Sequence, residues 1–183
     1  MENIFKKLRT ALYIFLFLQL SLPVIAQERI NQQYNRDTLL TAARNIIAEV
    51  PYCTLITLDT TGHPSARIMD PFPPEKNMDI WLGTNKYSRK VRQIKKDSRV
   101  TLFYEAPNGA GYVLIEGKAY LVDDPVKKKT YWKNEWDRFY SDQKEEFILI
   151  KVIPHRLELL DYKIGIVGDS KTWAVPYVGF THH

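Results

Sequence analysis

Runs of alternating hydrophobic and polar residues dominate the chain after residue 50, and this period of two is typical of β-strands. Turns rich in Gly, Pro, Asn and Asp separate the runs. The pattern predicts strands over residues 52–59, 65–70, 78–84, 99–106, 112–122, 146–154 and 156–162. Gly117 interrupts the longest alternating run, which indicates a β-bulge or a close approach of two backbones at that point.

Three further segments carry helix signals. Residues 37–50 repeat their apolar positions at helical spacing, with Asp37 as the expected N-cap and Pro51 just beyond the end. A second helix is predicted over residues 86–96, and a third begins at residue 123 or 124 with Pro125 in its first turn. The predicted fold class is therefore mainly β (α+β): a small β-barrel of about six to seven antiparallel strands with three short helices.

The first 26 residues have the features of a secretory signal peptide. Lys6, Lys7 and Arg9 precede the apolar run "ALYIFLFLQLSL", which is too short to span a bilayer comfortably, and the small residue Ala26 suits cleavage. The expected organisation is a signal peptide over 1–26, a polar leader over 27–36, and one domain over 37–183 with a C-terminal tail from 163. The alternative is a retained N-terminal anchor. Either alternative exports the domain, in a bacterium to the periplasm, and no stable membrane span remains once the signal is removed.

Composition narrows the classes of function. The 183 residues are 45% hydrophobic, which allows a sizeable core, and the one cysteine, Cys53, cannot form an internal disulfide. Loss of the signal peptide removes three basic residues and one acidic residue, which lowers the formal charge from +5 to +3. A balance so close to neutral does not call for nucleic acid as a partner. The four histidines have no metal-ligand spacing, so no metal site is expected.

One segment, "TNKYSRKVRQIKKDSR" at residues 84–99, concentrates seven Lys and Arg residues. Charge alone leaves three interpretations open: a solvated helix face, a nucleic-acid patch, or a phosphate site. The expected export and the lack of other basic segments argue against nucleic acid. A strand that runs into a helix start carrying Thr84, Ser88, Arg89 and Lys90 offers free N–H groups, hydroxyls and cations, all of which suit a phosphate.

The order of several motifs resembles a known family. The segment "IWLGTNKYSRKVRQIKKDSRVTLFYEAPNGAGYVLIEGKAYLV", preceded by "GHPSARIMD" and followed by "ILIKVIPHRLELLD", is similar to the pyridoxamine 5′-phosphate oxidase-like FMN-binding split-barrel superfamily. The last of these segments looks most like the general stress protein branch. The similarity covers roughly residues 37–162, which is almost the whole expected domain, and it implies a split β-barrel that binds FMN.

The resemblance also implies which residues hold the cofactor. In that superfamily the arginine of the second strand and the arginine–lysine pair of the helix hold the FMN phosphate, while the second strand lies along the isoalloxazine ring. The residues at the matching positions are Arg67, Ile68, Met69, Thr84, Ser88, Arg89, Lys90 and Tyr112. Sites of this family form between two subunits, so a homodimer is implied. Trp173 or another aromatic residue of the tail could cover the flavin of the second subunit.

Each of these assignments has a simpler structural alternative. Arg67 could be an ordinary strand arginine paired with Asp70 or Glu105, and the two hydroxyl residues could be plain helix caps. Met69 could fill the core, and Tyr112 could pack against an aromatic residue on a neighbouring strand. These alternatives stay open until the positions are seen in three dimensions.

Two departures from the family pattern limit the expected function. The true oxidases follow the strand arginine with a substrate-binding lysine, where this chain has Phe72, and the tail has no arginine-rich segment. The expectation is therefore an FMN-dependent oxidoreductase of unknown substrate, with no assigned catalytic residue and without pyridoxamine phosphate oxidase activity. The alternative is a non-catalytic carrier module for a flavin, haem or another ligand, since an exported protein must obtain FMN outside the cytoplasm.

Overall fold

The alternating segments form one antiparallel sheet in the computed structural model, which describes residues 34–140 and 145–181. The strands run along the chain as β1 Cys53–Leu58, β2 Pro64–Met69, β3 Ile80–Asn85, β4 Arg99–Glu105, β5 Gly111–Val122, β6 Phe147–Asp161 and β7 Tyr177–Gly179. Their order in the sheet is β2-β1-β4-β5-β6-β3, and β7 pairs with β6. The predicted mainly β class with six to seven antiparallel strands is confirmed.

The sheet closes on itself at one point. Pro71, just after β2, bridges Leu82 on β3, and the Phe72 N–H donates to the Trp81 carbonyl at 2.9 Å. Because β2 and β3 are the two ends of the strand order, this bridge brings the edges of the sheet together. The rest of β2 pairs only with β1, so a slot stays open between the two edge strands. This slot is the split of the barrel.

Helix α1, Arg36–Glu49, packs its apolar face on the barrel core through Leu39, Ala43 and Ile46. The prediction of Asp37 as the N-cap was wrong, because the Asn35 side chain accepts the Thr38 N–H at 2.7 Å. Asp37 lies instead in the first turn, where its negative charge interacts favourably with the positive end of the helix dipole.

Helix α2, Arg89–Lys96, begins three residues later than predicted. Asn85 forms a turn before it: its side chain accepts the Tyr87 N–H at 2.8 Å, and its carbonyl accepts the Ser88 N–H at 3.0 Å. Ser88 is then the N-cap residue, with no capping bond from its side chain. Val91 and Ile94 face the core as their spacing predicts.

Helix α3, Pro125–Thr130, starts where predicted, with Asp124 accepting the Lys127 N–H at 2.7 Å, but it is much shorter than the polar–aromatic pattern suggested. A 3-10 turn follows at Asn134–Arg138, inside the segment expected to be a helix end and connector. Trp136 of this turn is buried in an aromatic cluster with Trp81 and Phe147.

The two strands predicted over 146–162 are one continuous strand, β6. Pro154 suggested a break because it has no N–H to donate. It is tolerated because it lies between the part of β6 that pairs with β3, 147–152, and the part that pairs with β7, 156–158. The β5–β6 register shifts between Glu116 and Gly117, and a Cβ on Gly117 would lie 2.4 Å from the Ile153 carbonyl oxygen. The bulge and close approach expected at Gly117 are confirmed.

Cys53 is buried on β1, and burial raises the pKa of its thiol to about 12. The expected signal peptide, residues 1–26, and most of the expected leader lie outside the described residues. Within 34–140 and 145–181, no helix is long and apolar enough to cross a bilayer.

Candidate functional site

The slot between the edge strands contains a cavity of about 230 Å³. Three elements supply its walls: the end of β2, the end of β3 with the start of α2, and the 3-10 turn with the residues just after it. The lining residues are Ile68, Met69, Asp70, Gly83, Thr84, Lys90, Trp136, Phe139 and Tyr140. Four of the eight residues singled out in the sequence therefore meet at one place in the fold.

The helix start places two hydroxyls and an ammonium group together. Thr84, at the end of β3, is only 4% exposed, and its Oγ1 accepts a hydrogen bond from Lys90 Nζ at 2.9 Å. Ser88 Oγ lies 3.5 Å from the same Thr84 oxygen. Neither hydroxyl caps the helix through its side chain, so the simple capping role is not what these residues do. Lys90 therefore lies at the end of α2 that lines the slot.

Arg67 is held on the inner side of β2 by several acceptors. Its guanidinium donates to the Leu55 carbonyl at 3.1 Å, to Thr57 Oγ1 at 2.7 Å and to Gln93 Oε1 at 2.9 Å. Among the described residues it forms no ion pair with Asp70 or Glu105, the two partners that strand geometry alone had suggested. A guanidinium anchored by neutral groups keeps its positive charge available to a ligand.

The positive charges of Arg67, Arg89 and Lys90 lie close enough to repel one another. Burial, then the charges of Arg67 and Arg89, lower the pKa of Lys90, and burial together with Arg89 lowers the pKa of Arg67. No carboxylate forms an ion pair with any of these three side chains in the part of the chain that the structure describes. Like charges without a counterion destabilise one another, most of all the half-buried Arg67 and Lys90, so a bound anion would stabilise this group.

Replacement of Lys90 by methionine is expected to raise the free energy of unfolding of the ligand-free protein at pH 7, by an amount that solvent screening of the partly exposed ammonium keeps small. The folded state disfavours the charged lysine, since its pKa lies below the usual 10.5. That cost is fully present below the folded-state pKa, falls as pH rises above it, and is gone at about 10.5. The gain in Lys90→Met should therefore shrink between neutral pH and pH 10.5, as measured by urea unfolding.

Lys95→Met is the matched control, because Lys95 is an exposed cation on the same helix. It should change the stability little at any pH. A Lys90→Met variant less stable than the parent at pH 7 would contradict the idea of an uncompensated charge.

The two residues expected along the flavin ring point to opposite sides of β2. Met69 faces inward and is 8% exposed within the core, as its alternative role as core filler requires, whereas Ile68 is 67% exposed on the outer face. Both still line the slot because β2 ends there. A planar ligand in the slot would therefore contact the backbone edge of β2 and one of these two side chains, because neighbouring side chains of a strand point to opposite faces.

Tyr112 is not brought to the slot within one chain. It lies on β5, which β1 and β4 separate from β2, and its ring packs 5.5 Å from the ring of Phe103. Burial raises the pKa of its hydroxyl. Its predicted contact with a flavin would require a second subunit, and it stays a prediction.

Gln93 is a site residue that the sequence pattern did not single out. It is 5% exposed, accepts hydrogen bonds from both Arg67 and Thr57, the latter at 2.6 Å, and donates to Ser65 Oγ at 3.1 Å. It therefore orients the Arg67 guanidinium. The available signal was that Gln93 is the one uncharged polar residue of α2.

The aromatic wall of the slot was also missed. Trp136 Nε1 donates to Asp70 Oδ2 at 3.1 Å, and the Lys133 ammonium binds the other Asp70 oxygen. Trp136 lies so close over β3 that a Cβ on Gly83 would be 2.4 Å from its ring. The sequence could not predict this contact, because residues 136 and 83 lie far apart in the chain and the turn after α3 brings them together.

Comparisons with known proteins agree with the observed fold. Residues 40–165 match the model of the family described as pyridoxamine 5′-phosphate oxidase like. The comparison with curated proteins finds no match.

Solved structures share the fold at low sequence identity. General stress protein 26 from Bacillus anthracis is 21% identical with a TM-score of 0.59, covering 67% of this chain and 93% of its own. A pyridoxamine 5′-phosphate oxidase-related, FMN-binding protein from Nostoc punctiforme is 14% identical with a TM-score of 0.58, covering 80% and 96%. A heme-binding protein from Mycobacterium smegmatis is 18% identical with a TM-score of 0.57, covering 75% and 56%. Because the family model matches residues 40–165, this chain belongs to the pyridoxamine 5′-phosphate oxidase like family, and it shares the fold of general stress protein 26.

Proposed function

We propose that the protein binds FMN in the slot and acts as a flavin-dependent oxidoreductase. The observation that carries the proposal is the group of Arg67, Arg89 and Lys90, which has no carboxylate partner among the described residues and lies beside the hydroxyls of Thr84 and Ser88. A phosphate dianion would supply the missing negative charge and accept hydrogen bonds from all of these groups. Family membership supports the same ligand.

Each residue then has a role toward the bound cofactor. Lys90 and Arg67 would hold the phosphate, while Gln93 keeps the guanidinium oriented. The free edge of β2, from Ile68 to Asp70, would offer backbone donors and acceptors to the polar edge of the ring, because an edge strand leaves one row of these groups unpaired. When bound, the flavin supplies the redox chemistry, and the protein supplies position, charge and exclusion of water.

We further propose that the working unit is a homodimer. The cavity of one chain, about 230 Å³, is below the usual range for a cofactor pocket, which begins near ~300 Å³. The outer face of the sheet carries a row of side chains across four strands, Ile68, Thr54, Phe103 and Leu114, all exposed or half-buried. Pairing two such faces would bury this row and add walls to both slots. Light scattering tests the proposal, and a monomer mass with FMN bound would contradict it.

The site of action is proposed to be outside the cytoplasm, after cleavage that follows Ala26. N-terminal sequencing of protein recovered from an exporting bacterium should begin at Gln27.

A titration with FMN and riboflavin tests the cofactor. The two ligands differ only in the phosphate, so FMN should bind at least about 100-fold more tightly, as two charge-assisted contacts at about 1.5–3 kcal/mol each require. Quenching of flavin fluorescence by the purified protein measures both affinities. Equal affinities would overturn the phosphate assignment, and absence of quenching would overturn the flavin itself.

Two further measurements separate the enzyme from the alternative, a non-catalytic carrier of flavin or haem. Reduction of bound FMN by NADH or NADPH, followed by loss of the visible absorption of the flavin, would support an oxidoreductase. A Soret band on addition of haemin, together with no FMN binding, would favour a haem carrier like the structural neighbour from Mycobacterium smegmatis.

A further inference from the structure

A second and larger cavity lies next to the slot. It is a cleft of about 880 Å³ between the C-terminal end of α1 with residues 50–52, the proline-rich loop 70–74, and the segment 133–139. A volume of this size is in the range of sites for drug-sized organic ligands, roughly 300–1,000 Å³. Of the residues given a role toward FMN, Asp70 alone lines this cleft.

The walls of the cleft are held in place before any ligand arrives. Arg44 on α1 donates to the carbonyls of Pro74, Glu75 and Lys76 at 3.1, 2.8 and 2.8 Å, which ties the proline-rich loop to the helix. On the other side Asp70 binds the Lys133 ammonium and the Trp136 indole, which ties the 133–139 segment to the end of β2. A preformed cleft loses little entropy when it binds a ligand.

The surface of the cleft favours a flat apolar ligand. Tyr52 and Phe139 both line it and are 58% and 63% exposed, which leaves aromatic surface open to a ligand. Phe72 and three prolines of the same loop add flat apolar surface. Aromatic and proline faces bind planar rings by stacking.

The charges of the lining favour an acidic ligand over a basic one. Three basic residues line the cleft, Arg44, Lys133 and Arg138, against two acidic residues, Asp70 and Glu135. Lys133 is neutralised by Asp70, and within the described residues Arg44 binds carbonyl groups and no carboxylate, so positive charge is left in excess. A carboxylate on the ligand would be attracted to this excess.

The cleft and the slot share three residues, Asp70, Trp136 and Phe139, so an occupant of the cleft would lie directly beside a ring held in the slot. We propose that the cleft binds a planar aromatic acid, and that this class of compound is the substrate of the site. The binding is a property of the chain alone, while the role as a substrate rests on the proposed function.

The test uses 2-naphthoate and the cationic 2-naphthylmethylammonium as probes of the flavin-free protein. Saturation-transfer NMR and a titration of tryptophan fluorescence should show saturable binding of naphthoate, with Kd about 1 mM or tighter for a ligand of this size. The ammonium probe should bind at least tenfold more weakly. The variant Tyr52→Ala/Phe139→Ala should lose at least tenfold in naphthoate affinity.

Tyr120→Ala/Tyr162→Ala is the control, since it removes two other half-exposed aromatic rings that do not line the cleft. It should bind naphthoate as the parent does. Equal loss in both double variants, equal binding of the two probes, or absence of saturable binding would overturn the proposal. FMN titration keeps the two hypotheses apart and uses the single variant Tyr52→Ala, because Tyr52 lines the cleft and not the slot. Unchanged FMN affinity with weakened naphthoate binding in this variant supports the cleft, and naphthoate binding without any FMN binding would leave the cleft site but remove its role beside a flavin.

Discussion

Substitution of Arg67 and Lys90 by methionine in one variant is expected to weaken FMN binding by about 10²–10⁴-fold. Each side chain would make a charge-assisted hydrogen bond to the phosphate, and such a bond contributes about 1.5–3 kcal/mol. The effect should be large because both groups are half-buried, where water screens their charges poorly. Fluorescence titration gives the affinities. Riboflavin affinity should fall far less, since riboflavin has no phosphate for the two cations to hold.

The matched control is Lys95→Met/Lys96→Met, which removes the same charge from exposed positions of α2. It should reduce FMN affinity by less than about threefold, through long-range attraction alone. Circular dichroism should establish that both variants are folded, because loss of Arg67 leaves the Leu55 carbonyl without this donor while Thr57 and Gln93 still bind each other. If both double variants lose FMN equally, general positive charge holds the cofactor and the specific site is wrong.

Gly83→Ala is expected to lower the free energy of unfolding by about 1–3 kcal/mol and to weaken FMN binding. The new Cβ would lie 2.4 Å from the Trp136 ring and 2.5 Å from the Phe147 ring, so the aromatic wall must move away from β3. Trp136 lines the slot, and its displacement changes the shape of the site. Urea unfolding and the FMN titration measure the two effects.

Gly179→Ala isolates the cause. Gly179 is also a strand glycine, on β7, but a Cβ there meets nothing within 4 Å. Both substitutions reduce the freedom of the unfolded chain by a similar amount, which by itself stabilises by about 0.4–1 kcal/mol. Gly179→Ala should therefore be neutral or slightly stabilising. A Gly83→Ala variant as stable as Gly179→Ala would mean that Trp136 does not pack on β3 in solution.

Local patterns were sufficient to predict most of the fold. Alternation located every long strand, and the apolar spacing of Leu39, Ala43 and Ile46 located α1, because side-chain burial repeats with the period of each element. Errors arose where a neighbour outside the pattern decides the outcome. Pro154 suggested a break in β6, yet the break is absent because β5 pairs with β6 on one side of that residue, and on the other side Pro154 lies between the partners β3 and β7.

The candidate site likewise contains residues that local sequence predicts and residues that it does not. Thr84, Ser88 and Lys90 come together because they lie within seven consecutive residues at a strand-to-helix junction, and their meeting is a local matter that sequence can predict. Gln93 was missed because its partners Arg67, Thr57 and Ser65 lie between 26 and 36 residues away. The role of Gln93 cannot be inferred from its place between basic residues, because it depends on which distant residues its amide contacts.

The sequence by itself determined the class of fold, the family and the cationic helix start, since these depend on residue order and on contacts near in the chain. Only the tertiary structure decided that the edges of β2 and β3 enclose a slot, that Trp136 closes one side of it over Gly83, and that a larger cleft opens beside it. The physical reason is that long-range packing depends on shape and volume at points far apart in the chain. The pattern of apolar residues records which side chains are buried and leaves open which distant side chains they meet.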